Sequence, residues 1–320
     1  MPGRAYRPEP MRLRGVTLGV VLLLLAGCGE LRGLFGEPAT PAPQPLAVTE
    51  EPSPASKALS DYYARVEAGH RTRGLLRIDG GGPDVPFDER RLAETFMSIA
   101  FAKEFSDVGA TLVRQETESI LRRWEDPVRI EVIFGSSVSP MQRADDRAAI
   151  NRFADRLNRT TGHPVSLVDR DGNFRVLVLS EDERRVAGPT LKRLIPTIRQ
   201  REIDVIETLG RESYCLVVAA DPGNDGVIGQ AAAVIRNELP LLLRQSCIHE
   251  ELAQGLGLAN DSPNARPSIF NDDDEFGRLT SMDEAMLGIL YSSRLQPGME
   301  AEVARPIVRS IANTLLGSSS

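Results

Sequence analysis

The sequence predicts an α+β fold, a mixed sheet with one long central helix, preceded by a targeting segment and a disordered linker. Three observations predict it. From residue 128 onward, short runs enriched in β-branched and aromatic residues alternate with segments whose apolar residues recur at helical spacing. One of the helical segments carries Ile248, Leu252 and Leu256 four residues apart, on a single apolar stripe. And residues 1–56 hold an apolar run too short to span a bilayer as a mature helix, followed by a proline-rich tract that cannot bury enough surface to offset its ordering entropy.

Residues 1–27 read as a lipoprotein signal peptide. Arg4, Arg7, Arg12 and Arg14 make a positive start, residues 16–25 are apolar, and Leu25-Ala26-Gly27-Cys28 resembles the bacterial lipobox. Small residues suit the signal peptidase, and the Cys28 thiol accepts a diacylglycerol. The mature chain is therefore expected to start at Cys28, tethered to a membrane by acyl chains worth about 0.8 kcal/mol per buried CH₂. Gly29, rather than Asp, favours the outer membrane over the inner, with the protein facing the periplasm. Residues 28–56 form the linker, with Pro38, Pro41, Pro43, Pro45, Pro52 and Pro54 among Ala, Thr and Glu. Two further regions follow, a helical portion at 57–127 packed on the core and an α/β portion at 128–318.

Composition narrows the function. The 320 residues carry a net charge of −7, which argues against nucleic acid as a partner. With three His and three Cys in the whole chain, a histidine-rich metal centre has no material.

The elements follow in order. A helical pattern starts at Ser60 through Tyr62, Tyr63 and Val66; residues 73–78 suit a short strand, closed by Gly80-Gly81-Gly82-Pro83. Asp88 caps a helix with apolar positions Leu92, Phe96, Ile99 and Ala100. Residues 116–124 suit another helical stretch, where Trp124, the only tryptophan, reads as a packing anchor. A strand over Val128–Phe134 precedes a helix over 141–158, stopped by Thr161-Gly162. Strands at Val165–Val168 and Phe174–Leu179 flank Asp171-Gly172, a hairpin signal. Helices are expected at 191–195 and 203–209, a buried strand at 214–219, a turn at 221–226 and an edge strand at 228–236. The turn and the acidic run Asp272-Asp273-Asp274-Glu275 both miss the calcium-loop spacing. Thr280 caps a helix over 282–291, and a last helix ends near Leu316.

The stretch from Ser246 to Asp261 carries the chemistry. His249-Glu250 begins a zinc-helix motif, but Ala253 stands where the second histidine is required. Shifted by one residue and anchored on Gly257, the stretch resembles the metzincin helix: Glu251 falls at the general base, and Glu250, Gln254 and Asn260 at the three metal-ligand positions. Gly257 lets the chain turn back with positive φ. His249 lies roughly 140° from Gln254 around the helix, and so reads as a partly buried or surface imidazole. Ser268-Ile269-Phe270 resembles the metzincin Met-turn with Phe270 in place of Met.

The blocks Ser246-Cys247-Ile248, Glu250-Glu251-Leu252-Ala253-Gln254, Leu256-Gly257-Leu258, Asn260-Asp261-Ser262-Pro263, Ala265-Arg266-Pro267-Ser268-Ile269-Phe270-Asn271-Asp272, Leu279-Thr280 and Leu295-Gln296-Pro297-Gly298-Met299 resemble the bacterial Domain of Unknown Function 2927 family. The resemblance covers roughly residues 90 to 315 and implies a metzincin-like layout, with no assigned activity.

Two functions are weighed, with a third reading in which the polar residues are only surface and capping groups. In the first, a non-catalytic envelope lipoprotein binds a protein partner through a cleft formed by Glu250, Glu251, Gln254 and Asn260, with Arg266 as counter-ion to a carboxylate. In the second, Glu251 is the general base of a metal- or water-dependent hydrolase. Two amides and one carboxylate hold a divalent ion weakly, so no cofactor and no tightly bound zinc are expected. Export and acylation of Cys28 leave Cys215 and Cys247 to pair as a disulfide. In metzincin-like layering the helix packs on the sheet, so Cα atoms about 5.5 Å apart are feasible.

Overall fold

The computed structural model describes residues 51–108, 111–271 and 273–317. Residues 1–50, which include the segment expected to be a signal peptide, Cys28 and most of the expected linker, lie outside them. None of the helices among the described residues is long and apolar enough to cross a membrane.

The chain enters through α1 (Pro54–Thr72), where Pro54 sets the first turn and the Ser53 side chain accepts from the Ser56 N–H. The Asp88 carboxylate likewise caps α2 (Glu89–Ala100). A separate antiparallel ribbon follows, β1 (Ala102–Val108) with β2 (Thr111–Glu118). Then come β3 (Val128–Phe134), α3 (Pro140–Thr161), β4 (Val165–Val168), β5 (Phe174–Leu179), α4 (Glu181–Arg184), α5 (Gly188–Leu194), α6 (Gln200–Thr208), β6 (Cys215–Ala220), β7 (Gln230–Arg236), α7 (Leu241–Gly255), α8 (Ser281–Leu290) and α9 (Ala301–Gly317). Ser139 caps the start of α3, and Gly162 ends it in the left-handed conformation.

The main sheet has the order β4-β3-β5-β7-β6. The first four strands run parallel and β6 is the antiparallel edge. The fold is thus mixed α+β, as the sequence predicts. Alternation along the strands divides the interior in two. Phe174 and Val176 of β5 and Ala231, Ala233 and Ile235 of β7 join the larger core with α2, α3, α7, α8 and α9. Leu177, Leu179, Ala232 and Val234 face the smaller core, closed by Leu191, Ile195, Ile203 and Ile206.

Several sequence expectations need correction. Asp171-Gly172 is not a hairpin turn: β4 and β5 flank β3 on opposite sides, both parallel to it. The loop crosses over β3 instead, with the Asn173 N–H on the Arg129 carbonyl and a Cβ on Gly172 falling 2.5 Å from the Glu131 Cβ. Glycine is there because the crossing is tight, not because a two-residue turn needs it. The edge and central strands are exchanged. β7 is buried between β5 and β6, whereas the half-buried β6 is the edge. The alanine-rich β7 lacks the bulky apolar run that marks a buried strand, although small residues suit a strand pressed between two helical layers. Residues 73–78 make only an isolated bridge, Arg77 to Phe276, because Leu76 stands at φ 57° and breaks an extended run. Residues 116–124 are not helical. They hold the end of β2 and an extended segment bonded elsewhere, Leu121 N–H to the Met299 carbonyl and Arg123 N–H to that of Gly226.

Candidate functional site

The helix α7 is buried along most of its length, with Cys247, Ile248, Leu252 and Ala253 each about 1 % exposed or less. Its C-terminal end is fixed by two close approaches. Trp124 donates from Nε1 to the Gly255 carbonyl at 2.8 Å and stacks on Phe174, whose ring leaves no room for a Cβ at Gly255. Gly257, at φ 125°, turns the chain where a Cβ would meet the Arg122 carbonyl at 2.1 Å. The positive φ expected at Gly257 is therefore present. The indole does what an anchor is expected to do.

Above this helix lies a cavity of about 180 Å³. Ser246, Glu250, Glu251 and Gln254 line it from α7; Cys215 and Leu216 from the edge strand β6; Glu212 and Tyr214 from the loop before that strand; and Asp261, Ile269, Asn271, Asp274 and Phe276 from the chain that follows the helix. Five carboxylates line it, and among the described residues no lysine or arginine does. Glu251 and Gln254 are buried, Glu250 half-buried. Gln254 donates from Nε2 to Asp261 Oδ1 at 2.9 Å. Asp274 stands 3.5 Å from His70 Nε2, which is also 3.5 Å from the Tyr214 hydroxyl. Burial pushes the Tyr214 phenol well above its ordinary range, so the hydroxyl stays protonated at neutral pH.

The disulfide between Cys215 and Cys247 joins two sides of this arrangement, β6 and α7, with Cα atoms 5.9 Å apart. It is the pairing the sequence predicts.

Not every sequence candidate comes to the cavity. Glu250, Glu251 and Gln254 do. Asn260 is buried outside the lining, donating from Nδ2 to the Ser98 carbonyl at 3.0 Å. Arg266 also stands outside it, paired through both Nε and Nη2 with Glu275 at 2.5 and 2.9 Å. Arg266, the larger influence, and Arg77 hold the Glu275 carboxyl below its ordinary range. Glu212 and Asp274 join the site unannounced by local sequence, since the fold brings them in from a loop 38 residues before Glu250 and from an acidic run that misses the calcium-loop spacing. Among the described residues, no group of three or more His, Cys, Asp or Glu is arranged to hold a metal ion.

His249 is buried, not superficial. Its ring stacks on Phe153 with centroids 4.0 Å apart, and Nδ1 accepts from the Leu279 N–H at 3.2 Å. Burial first, then the charges of Arg278 and Arg156, push its pKa down to about 3, so the ring is neutral in any physiological compartment.

No curated protein matches the chain. A family described as "Protein of unknown function (DUF2927)" matches residues 89–310, a span running from α2 into α9 and containing the whole of α7. The chain belongs to this DUF2927 family.

Proposed function

We propose that this protein is a lipid-anchored envelope protein whose acidic cavity over α7 binds a basic group of a protein partner without catalysing a reaction on it. One observation carries the reading: Glu250 and Glu251 line the cavity with Glu212, Asp261 and Asp274, and among the described residues no lysine or arginine lines it. Gathered carboxylates attract a cation and hold it by charge-assisted hydrogen bonds. The position of β6 and α7 on either side of the cavity supports a protease-like frame kept for binding. The disulfide supports residence in an oxidising compartment. The second reading, hydrolysis with Glu251 as base, needs Glu250, Gln254 and Asn260 around one ion or water. Asn260 is committed to the Ser98 carbonyl instead, which favours binding.

The test is calorimetric titration of the full chain with a short arginine- and lysine-containing peptide at low and high salt. Saturable, salt-weakened binding, reduced about tenfold by Glu250→Gln, is expected, that factor being about 1.4 kcal/mol for one charge-assisted contact. Absence of binding at low salt refutes the reading. Cleavage of the peptide by the wild type and not by Glu251→Gln establishes the hydrolase instead. In cells, a fatty-acid probe is expected to label the wild type and not Cys28→Ser; equal labelling of both removes the anchor from the proposal.

A further inference from the structure

A second cavity, also about 180 Å³ and lined by His249, lies between α3, α7 and the chain just before α8. Its charge is opposite to that of the first. Arg152 and Arg156 enter from α3, Arg278 from the connecting chain, and Gln245 and His249 from α7, over an apolar floor that includes Phe153. In a chain of net charge −7, such a gathering of cations needs a reason.

The counter-charges do not balance it. Arg156 is paired with Glu284 at 2.7 Å, and also donates to the Leu279 carbonyl. Neither Arg152 nor Arg278 forms an ion pair among the described residues. Arg278 instead donates to the Gln245 side-chain carbonyl, and its buried Nε makes no hydrogen bond among the described residues. Burial, followed by the like charges of Arg152 and Arg156, pushes its pKa down. Two guanidinium groups without a carboxylate, beside a third already held by Glu284, repel one another unless an anion joins them.

The histidine tautomer adds a second, geometric argument. The Leu279 N–H occupies Nδ1 of a neutral ring, so the ring proton sits on Nε2. Arg278 Nη1, itself only a donor, stands 3.4 Å from that Nε2. Two donors facing each other cannot satisfy one another. An acceptor shared by both resolves the contact.

We propose that this arginine-lined cavity binds a phosphate-type oxyanion. A carboxylate presents two oxygens in one plane, whereas a phosphate presents its oxygens tetrahedrally, to guanidinium groups that reach it from several directions at once. The volume suits a group of that size; water occupies about 30 Å³ in the liquid, so the space corresponds to a few waters and not to a large ligand. The phosphate is either the free ion or the headgroup of an anionic phospholipid, a source close at hand for an anchored protein.

The test is calorimetric titration of the full chain with inorganic phosphate, with glycerophosphoglycerol as the deacylated phosphatidylglycerol headgroup, and with acetate, all at matched ionic strength in chloride. Saturable binding of phosphate or of the diester, tighter than that of acetate, is expected. Arg152→Gln, at an exposed residue that should not disturb folding, is expected to weaken it about tenfold, and Arg278→Gln further. Arg159→Gln, the same charge change on α3 outside the cavity, is expected to leave it unaltered. Tighter binding of the ion points to free phosphate, and tighter binding of the diester to a lipid headgroup. Absence of saturable binding by both, acetate binding as tightly, or equal loss in Arg152→Gln and Arg159→Gln overturns the proposal.

Discussion

Cys215 in the edge strand and Cys247 in the buried helix are bridged across 32 residues of sequence, and Cys215 itself lines the acidic cavity. The bridge therefore ties the one sheet edge that faces the cavity to the helix that supplies Glu250, Glu251 and Gln254. Closing a loop of this length removes chain entropy from the unfolded state worth about 3 to 4 kcal/mol. Replacing both cysteines by alanine is expected to lower unfolding free energy by about that amount, measured by urea denaturation. Full alkylation of both thiols in protein denatured without reductant contradicts the bridge outright.

Gly255 lies where helix, indole and Phe174 converge. A Cβ there stands 2.3 Å from Phe174 Cζ, so Gly255→Ala must displace the ring or the helix end. Overpacking of this kind costs about 1 to 3 kcal/mol, despite the better helix propensity of alanine. Trp124→Phe retains the stacking surface but leaves the Gly255 carbonyl without its indole donor, for about 1 to 3 kcal/mol. Circular dichroism during urea unfolding measures both. Wild-type stability in Gly255→Ala would show that this contact is not rigid.

Glu181 is buried with two arginines that are buried even more fully, Arg184 at 2.7 Å and Arg236 at 2.5 Å. Burial pushes the carboxyl up, but the two guanidinium groups together hold it below its ordinary range. Its native pKa being the lower one, its contribution is present above the unfolded carboxyl pKa and lost as pH falls through the native one. Glu181→Gln leaves two buried positive charges facing an amide, and is expected to cost about 3 to 5 kcal/mol at neutral pH. A loss under about 1 kcal/mol would mean that solvent reaches the arginines.

How far the sequence was legible depended on whether the deciding signal was local. β3 and the caps at Asp88 and Thr280 were readable because strand composition and capping side chains act within a few residues. Glu250, Glu251 and Gln254 were readable as one face because helical spacing is fixed. The β4–β5 crossing was not, since Asp-Gly fits a tight turn and a tight crossing equally. Nor was β1–β2, where Lys103, Glu104, Ser106 and Asp107 interrupt any apolar run. The arginine cavity had a half-signal in the i, i+4 pairs Arg152/Arg156 and Gln245/His249. What joined them was the packing of α3 against α7, which no local pattern specifies.

Asp283 provides the pH prediction, with a sign opposite to that of Glu181. It is fully buried beneath the loop that follows α7, where it accepts from Ser268 Oγ at 2.5 Å, the Ile269 N–H at 3.0 Å, the Thr280 N–H at 2.8 Å and Thr280 Oγ1 at 2.9 Å. Those donors favour the carboxylate, but burial outweighs them and pushes the pKa from 3.8 up to about 6. The native state therefore holds the proton more tightly than the unfolded chain. Stability from this group is fully present below the unfolded pKa and is lost as pH rises through the native one. With about 1.4 kcal/mol per pKa unit, the loss between pH about 4 and about 6.5 is on the order of 3 kcal/mol. Asp283→Asn also sacrifices an acceptor and is less stable at every pH, so the informative quantity is the slope. Urea unfolding across this window is expected to show wild type losing on the order of 3 kcal/mol more than Asp283→Asn. Because Ile269 lines the acidic cavity, the same rise in pH should loosen that wall, visible as faster hydrogen exchange at the Ile269 and Thr280 amides. Parallel stability curves for the two proteins would mean that Asp283 titrates alike in the folded and unfolded states.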